Sequence, residues 1–119
     1  LKSSKNEKHK IKLGNINIFR DWGLAEEYVE AMQIITRAER INDQIICTGE
    51  LVSLKELLDF TYKSFNLDWT KFVEIDRTLY RENDIKRSVG DPSNLTNETG
   101  WIAKTKGKQI ITKLINYLQ

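Results

Sequence analysis

Apolar positions change period several times along this 119-residue chain, and each change predicts an element. Residues 15–19, Asn15-Ile16-Asn17-Ile18-Phe19, alternate and predict a short strand running into Arg20. Past Gly23 the spacing turns helical: Ala25, Tyr28, Val29, Met32, Ile35 and Thr36 share one face, with Glu26, Glu27, Glu30 and Arg37 outside it. Asn42-Asp43 signals a turn, and residues 44–48, carrying Ile45, Ile46 and Cys47, predict a short buried strand closed by Gly49. Ser53 followed by Glu56 has capping-box spacing. Behind it Leu54, Leu57, Leu58, Thr61, Tyr62 and Phe65 form the apolar stripe of a helix that Asn66 ends. One helical turn is expected at 68–72, an extended piece at 73–75 and another strand at 85–89. Pro92 suits the first turn of a short helix ending near Gly100. Ile110, Ile111, Leu114, Ile115 and Leu118 predict a last helix over 107–118. The sum is a mixed α/β segment with more helix than strand.

Composition narrows the class. Hydrophobic residues make up 39% and charged residues 30%, which describes one globular domain or a piece of one. No apolar run approaches the roughly 20 residues that span a bilayer, and the Lys- and Ser-rich start has no signal-peptide core. A single cysteine, Cys47, excludes an internal disulfide and fits a reducing compartment, so a cytoplasmic location is expected. Nineteen bases against seventeen acids leave a net charge of +2, which predicts neither a nucleic-acid nor a membrane partner. Lys2, Lys5, Lys8, His9, Lys10 and Lys12 are locally basic without interleaved aromatics, so 1–12 is read as a flexible solvated segment and 13–119 as the structured part. Leu1 in place of an initiating methionine points to sequence upstream.

Arg20 and Arg81 are the candidate ligand-binding cations. A diphosphate asks for rigid, permanently charged donors, and the planar guanidinium matches phosphate oxygens in a bidentate way that lysine does not. Arg20 lies at a strand-to-helix junction, and Arg81 in the polar loop Tyr80-Arg81-Glu82-Asn83-Asp84. The competing reading is surface ion pairing: Arg20 with Asp21, Glu26 or Glu27, and Arg81 with Glu82 or Asp84. Asp84 is either an acceptor for sugar hydroxyls or a solvated acid. Trp22, Trp69 and Trp101 read as core anchors under loops. Cys47 reads as a small buried hydrophobe, and the isolated His9 makes no metal site. Two matches to the glycosylation sequon, at Asn94 and Asn97, are read as coincidence.

What is missing limits the chemistry. The six glycines, at 14, 23, 49, 90, 100 and 107, are scattered and form no dinucleotide fingerprint. No tyrosine is followed four residues later by lysine: Tyr28, Tyr62 and Tyr80 precede Met32, Asn66 and Asp84 at that spacing. There is no Walker motif and no Ser/His/Asp set. No catalytic or cofactor-binding residue is identified.

Several motifs in order resemble one family. Leu13-Gly14-Asn15, Arg20-Asp21-Trp22-Gly23, Glu27-Tyr28-Val29-Glu30-Ala31-Met32, Thr48-Gly49-Glu50, Leu79-Tyr80-Arg81, Gly90-Asp91-Pro92 and Gly100-Trp101 are similar to the C-terminal third of the GDP-mannose 4,6-dehydratases. These are NADP-dependent lyases of the extended short-chain dehydrogenase/reductase type. The resemblance implies an α/β substrate-binding portion that lacks the N-terminal Rossmann core. In the intact family that core binds NADP and carries the threonine, glutamate, tyrosine and lysine that convert GDP-mannose to GDP-4-dehydro-6-deoxy-mannose. It further implies that Arg20 and Arg81 meet the nucleotide diphosphate, with Asn15 near the nucleotide and Asp84 beside the ligand. The family's loop Arg-Pro-Thr-Glu-Val-Asp reads here Arg81-Glu82-Asn83-Asp84-Ile85-Lys86, so a shorter acid replaces the glutamate and the stiffening proline is gone. By itself such a chain is expected to be inactive and to expose the apolar faces of 25–36 and 45–47. The Rossmann portion, in cis or on a partner chain, would cover them, and a homo-oligomer remains open. Two other readings stay open: a related nucleotide-sugar epimerase or reductase fragment, and a non-catalytic interaction module.

Overall fold

Arg20 is the middle residue of the middle strand of a small sheet, and the rest of the chain builds outward from it. A computed structural model describes residues 10–40 and 42–118. Strands β2 (Phe19–Asp21), β3 (Leu51–Ser53) and β5 (Arg87–Ser88) lie in the order β3-β2-β5, with β2 antiparallel to β3 and parallel to β5. Strands β1 (Ile11–Leu13) and β4 (Val73–Ile75) form a separate parallel pair with Ile11 opposite Val73. The helices are α1 (Ala25–Arg37), α2 (Leu54–Lys63), α3 (Ser93–Thr99) and α4 (Lys108–Tyr117). The architecture is mixed α/β.

Local chemistry explains the best-defined boundaries. Ser53 caps α2: its hydroxyl accepts from the Glu56 N–H at 3.1 Å while Glu56 Oε2 accepts from the Ser53 N–H at 2.9 Å. Past α2 the chain reverses at Asn66, which has φ 55°, a left-handed conformation asparagine tolerates better than most residues. Asp68 then caps the 3-10 turn Trp69–Lys71 through the Thr70 N–H. Tyr62 of α2 stacks on Phe72 just past this turn, with centroids 5.7 Å apart. Gly100, at φ 74°, ends α3 in the left-handed conformation that a C-cap glycine supplies. The main apolar cluster holds Ala31, Leu95, Trp101 and Ala103, with Tyr28, Ile34, Ile35 and Ile46 against it.

Several sequence expectations change. Of the strand expected at 15–19 only Phe19 is in a ladder, as the first residue of β2. The Ile16 and Ile18 carbonyls accept from Lys55 N–H (2.9 Å) and Leu54 N–H (3.1 Å), and Asn17 N–H turns to the Asn15 side chain, so those groups join no ladder. Residues 44–48 form no strand, because among the described residues no strand lies beside them; Cys47 and Thr48 are buried all the same, while Ile45 is 59% exposed. Helix α1 buries Ala31 and leaves Val29 and Met32 about half exposed, so its core face is rotated from the expected one. Glu27, expected outside, is drawn in by hydrogen bonds described below. At 85–89 only Arg87 and Ser88 pair with β2. Lys2, Lys5, Lys8 and His9 lie outside the described residues, and residues 11 and 12, assigned to the flexible segment, are the first two of β1.

Candidate functional site

Successive residues of a strand project to opposite faces, and at the end of β2 this sends two charged side chains in different directions. Arg20 reaches toward the segment entering β5. Its Nη1 donates to the carbonyls of Phe19 (2.8 Å) and Ile85 (2.6 Å), and its Nη2 donates to Asp84 Oδ1 at 2.9 Å. The pair is partly buried, the two side chains being 27% and 21% exposed. Asp84 belongs to a turn whose N–H donates to the Arg81 carbonyl at 3.4 Å. Arg20, Asp84 and the Arg81 backbone are therefore brought together, although 64 residues separate the ion pair in sequence. Among the described residues the exposed Arg81 side chain has no carboxylate within 4 Å, and Arg20 pairs with neither Asp21, Glu26 nor Glu27. Asn15 sits just ahead of β2 with its Oδ1 accepting from the Asn17 N–H at 2.9 Å.

Asp21 points the other way and organises a different loop. Its carboxylate accepts from the Thr48 N–H (2.9 Å), the Thr48 hydroxyl (2.6 Å) and the Gly49 N–H (2.8 Å). Burial, with the nearby Asp21 charge adding to it, pushes the Tyr28 phenol up to about 12. Burial, again with Asp21 second, also pushes the Cys47 thiol up, which suits a buried hydrophobe and not a nucleophile. Neither Asp21's tether nor Glu27's stands out in the sequence, because both depend on partners brought close only by the fold.

Two of the three tryptophans, Trp22 and Trp101, are anchors. Trp22 Nε1 donates to the Val52 carbonyl at 2.8 Å, and the buried Trp101 meets Tyr28 edge-on at 6.3 Å. At the β2-to-α1 junction the space above Gly23 is filled by the Tyr28 ring, whose hydroxyl oxygen lies 2.0 Å from where a Cβ would stand. A dinucleotide's phosphates approach a strand-to-helix turn through such open glycine space. That junction is closed to such an approach. Among the described residues no three His, Cys, Asp or Glu side chains gather as a metal site, and no helix is long and apolar enough to cross a membrane.

The family model described as GDP-mannose 4,6 dehydratase matches residues 1–114. GDP-mannose 4,6 dehydratase 1 of Arabidopsis thaliana is 34% identical over 107 residues, which cover 90% of this chain and 30% of that protein. RMD from Pseudomonas aeruginosa, solved in complex with NADPH, is similar in structure with a TM-score of 0.77 at 17% identity, over 97% of this chain and 37% of that one. The Bordetella bronchiseptica enzyme WbmG, solved with NAD and UDP, has a TM-score of 0.73 at 23% identity, over 98% and 37% of the respective chains. At these identities the structural likeness shows the fold alone, the mixed α/β arrangement described above. The chain spans about a third of the length of the relatives it matches.

Proposed function

The chain belongs to the GDP-mannose 4,6 dehydratase family, and from that premise we propose that it is the nucleotide-sugar-binding portion of a GDP-mannose 4,6-dehydratase-like enzyme. Arg20 and Arg81 receive the diphosphate, Asn15 helps to orient nucleotide or sugar, and Asp84 belongs to the same binding site through its ion pair with Arg20. NADP and the catalytic groups belong to a Rossmann portion outside these 119 residues, in cis or on a partner chain. The observation that supports this reading best is the state of Arg20. A guanidinium has five N–H donors; three are held by Phe19, Ile85 and Asp84. Nε–H and one Nη2 hydrogen remain for an anion, on a side chain whose direction is already set. Pre-set charge of this kind binds a diphosphate at little ordering cost.

The exposed apolar groups support the second part of the proposal. Val29, Met32 and Ile45 are each more than half exposed, and residues 43–47 have no strand beside them among the described residues. An added strand and an apolar surface would satisfy both.

Titration of the full-length protein with GDP-mannose, GDP and UDP-glucose tests the reading. Binding that favours the GDP ligands is expected, and a protein that takes up none of them overturns it. In the assayed enzyme, Arg81→Ala is expected to raise KM about tenfold or more while leaving kcat near its starting value, because it removes a charged contact made equally in ground and transition states. A loss of kcat at constant KM would remove Arg81 from this role.

A further inference from the structure

The turn that carries Arg81 is attached to the sheet by few bonds. The ladder between β2 and β5 is two residues long, with Phe19 N–H donating to the Lys86 carbonyl at 2.8 Å. The Arg87 guanidinium lies 5.1 Å over the Phe19 ring, and residues 81–83 are exposed. A further attachment runs through Arg20, which grips Ile85 by its carbonyl and Asp84 by its carboxylate.

We propose that Asp84 is a positioning residue that acts through Arg20: their ion pair latches the Arg81 turn onto β2 and fixes both arginines as one diphosphate-binding unit. The proposal rests on the reading of this site as a nucleotide-sugar pocket and assigns Asp84 a part in it other than direct ligand contact. A carboxylate beside a diphosphate repels it, so an Asp84 without other work lowers affinity, and its removal should tighten binding. An Asp84 that holds the guanidinium and the turn in place offsets that repulsion by pre-ordering, so its removal should weaken binding. A carboxylate that accepts from ribose or sugar hydroxyls also weakens binding when lost, but only for ligands that have those hydroxyls.

GDP and inorganic pyrophosphate separate the three cases. In the full-length protein Asp84→Ala is expected to weaken both ligands by about tenfold, the size of one lost charged hydrogen bond. Asp84→Asn, whose amide oxygen still accepts from Nη2, should fall between the wild type and Asp84→Ala for both. Loss confined to GDP would make Asp84 a direct ligand contact and overturn the proposal, as would tighter binding of both. A ligand-free measurement keeps the latch testable if the wild type binds neither probe, an outcome that would sink the pocket reading alone. Trypsin cleaves after Arg81, and the latched turn should be cut several times more slowly in the wild type than in Asp84→Ala. Equal rates at that bond would remove the latch.

Discussion

Glu27 shows how much a single residue can carry without advertising it. It stands in the first turn of α1, where its charge suits the helix dipole and a sequence reader places it on the solvated side. In the fold its carboxylate accepts from the backbone N–H groups of Lys104 (2.8 Å) and Thr105 (3.0 Å) and from the buried Thr105 hydroxyl, with Lys113 Nζ 3.7 Å away. Burial favours the neutral acid, but the Thr105 and Lys104 hydrogen bonds and the Lys113 charge together outweigh it and hold the carboxyl below its ordinary value of 4.5. A folded-state pKa below the unfolded one adds stability that is complete above about 4.5 and disappears as pH falls through the folded value. Glu27→Ala strands two backbone donors, so we expect a loss of about 1–3 kcal/mol at neutral pH. The difference from the wild type should shrink below pH 4.5. Urea unfolding of both proteins at pH 7 and at pH 3.5 checks the pattern; an equal gap at the two values would mean that the charge is not what matters. Arg20 was legible as a candidate because its type and junction position are local facts. Asp84 was a candidate as well, but its pairing with Arg20 was not legible, since nothing in sequence marks a pairing across 64 residues.

Elements defined by their own residues were readable, and those defined by a neighbour were not. Helix α2 carries its start signal, its stripe and its stop within residues 53–66: Ser53 and Glu56 form the predicted capping box, and Asn66 takes the left-handed conformation just past the helix. Ser53→Ala removes the acceptor for the Glu56 N–H, and an N-cap of this kind is worth about 1 kcal/mol. A matching fall in unfolding free energy is expected, with Ser53→Thr, which keeps the hydroxyl that both accepts from the Glu56 N–H and donates to Glu56 Oε2, recovering most of it; an unchanged midpoint in Ser53→Ala would show that β3 alone holds this junction. A strand, by contrast, exists only where a second one lies alongside. Ile45, Ile46 and Cys47 have the composition of a buried strand, yet no ladder forms there among the described residues. The alternation at 15–19 likewise lost to competition, because the start of α2 takes the carbonyls of Ile16 and Ile18. Periodicity tells which face of a segment seeks cover. It does not tell what supplies the cover, and α1 shows the same gap with Val29 and Met32 left out of the core.

At the scale of the molecule these uncovered faces add up to a shape. The radius of gyration is 17.3 Å and the extents are 56 × 38 × 17 Å, against about 13.5 Å expected for the radius of a compact domain of this length. A slab 17 Å thick has room for little interior, and among the described residues the main buried cluster is Ala31, Leu95, Trp101 and Ala103. Apolar side chains stay at the surface in consequence: Val29, Met32 and Ile45, and also Leu79, Ile85 and Leu118, are 49% exposed or more. Exposed apolar groups attract one another and apolar dyes. The 119 residues produced alone should therefore bind anilinonaphthalene sulfonate in native buffer and sediment increasingly as oligomers when concentrated. Replacing Val29 and Met32 by lysine, which removes apolar surface and adds like charges, should reduce both effects without lowering helix content, because neither side chain is buried. A chain that stays monomeric and dye-free at high concentration would mean that these faces are already covered in solution. The need for an added Rossmann portion would then lose its physical support.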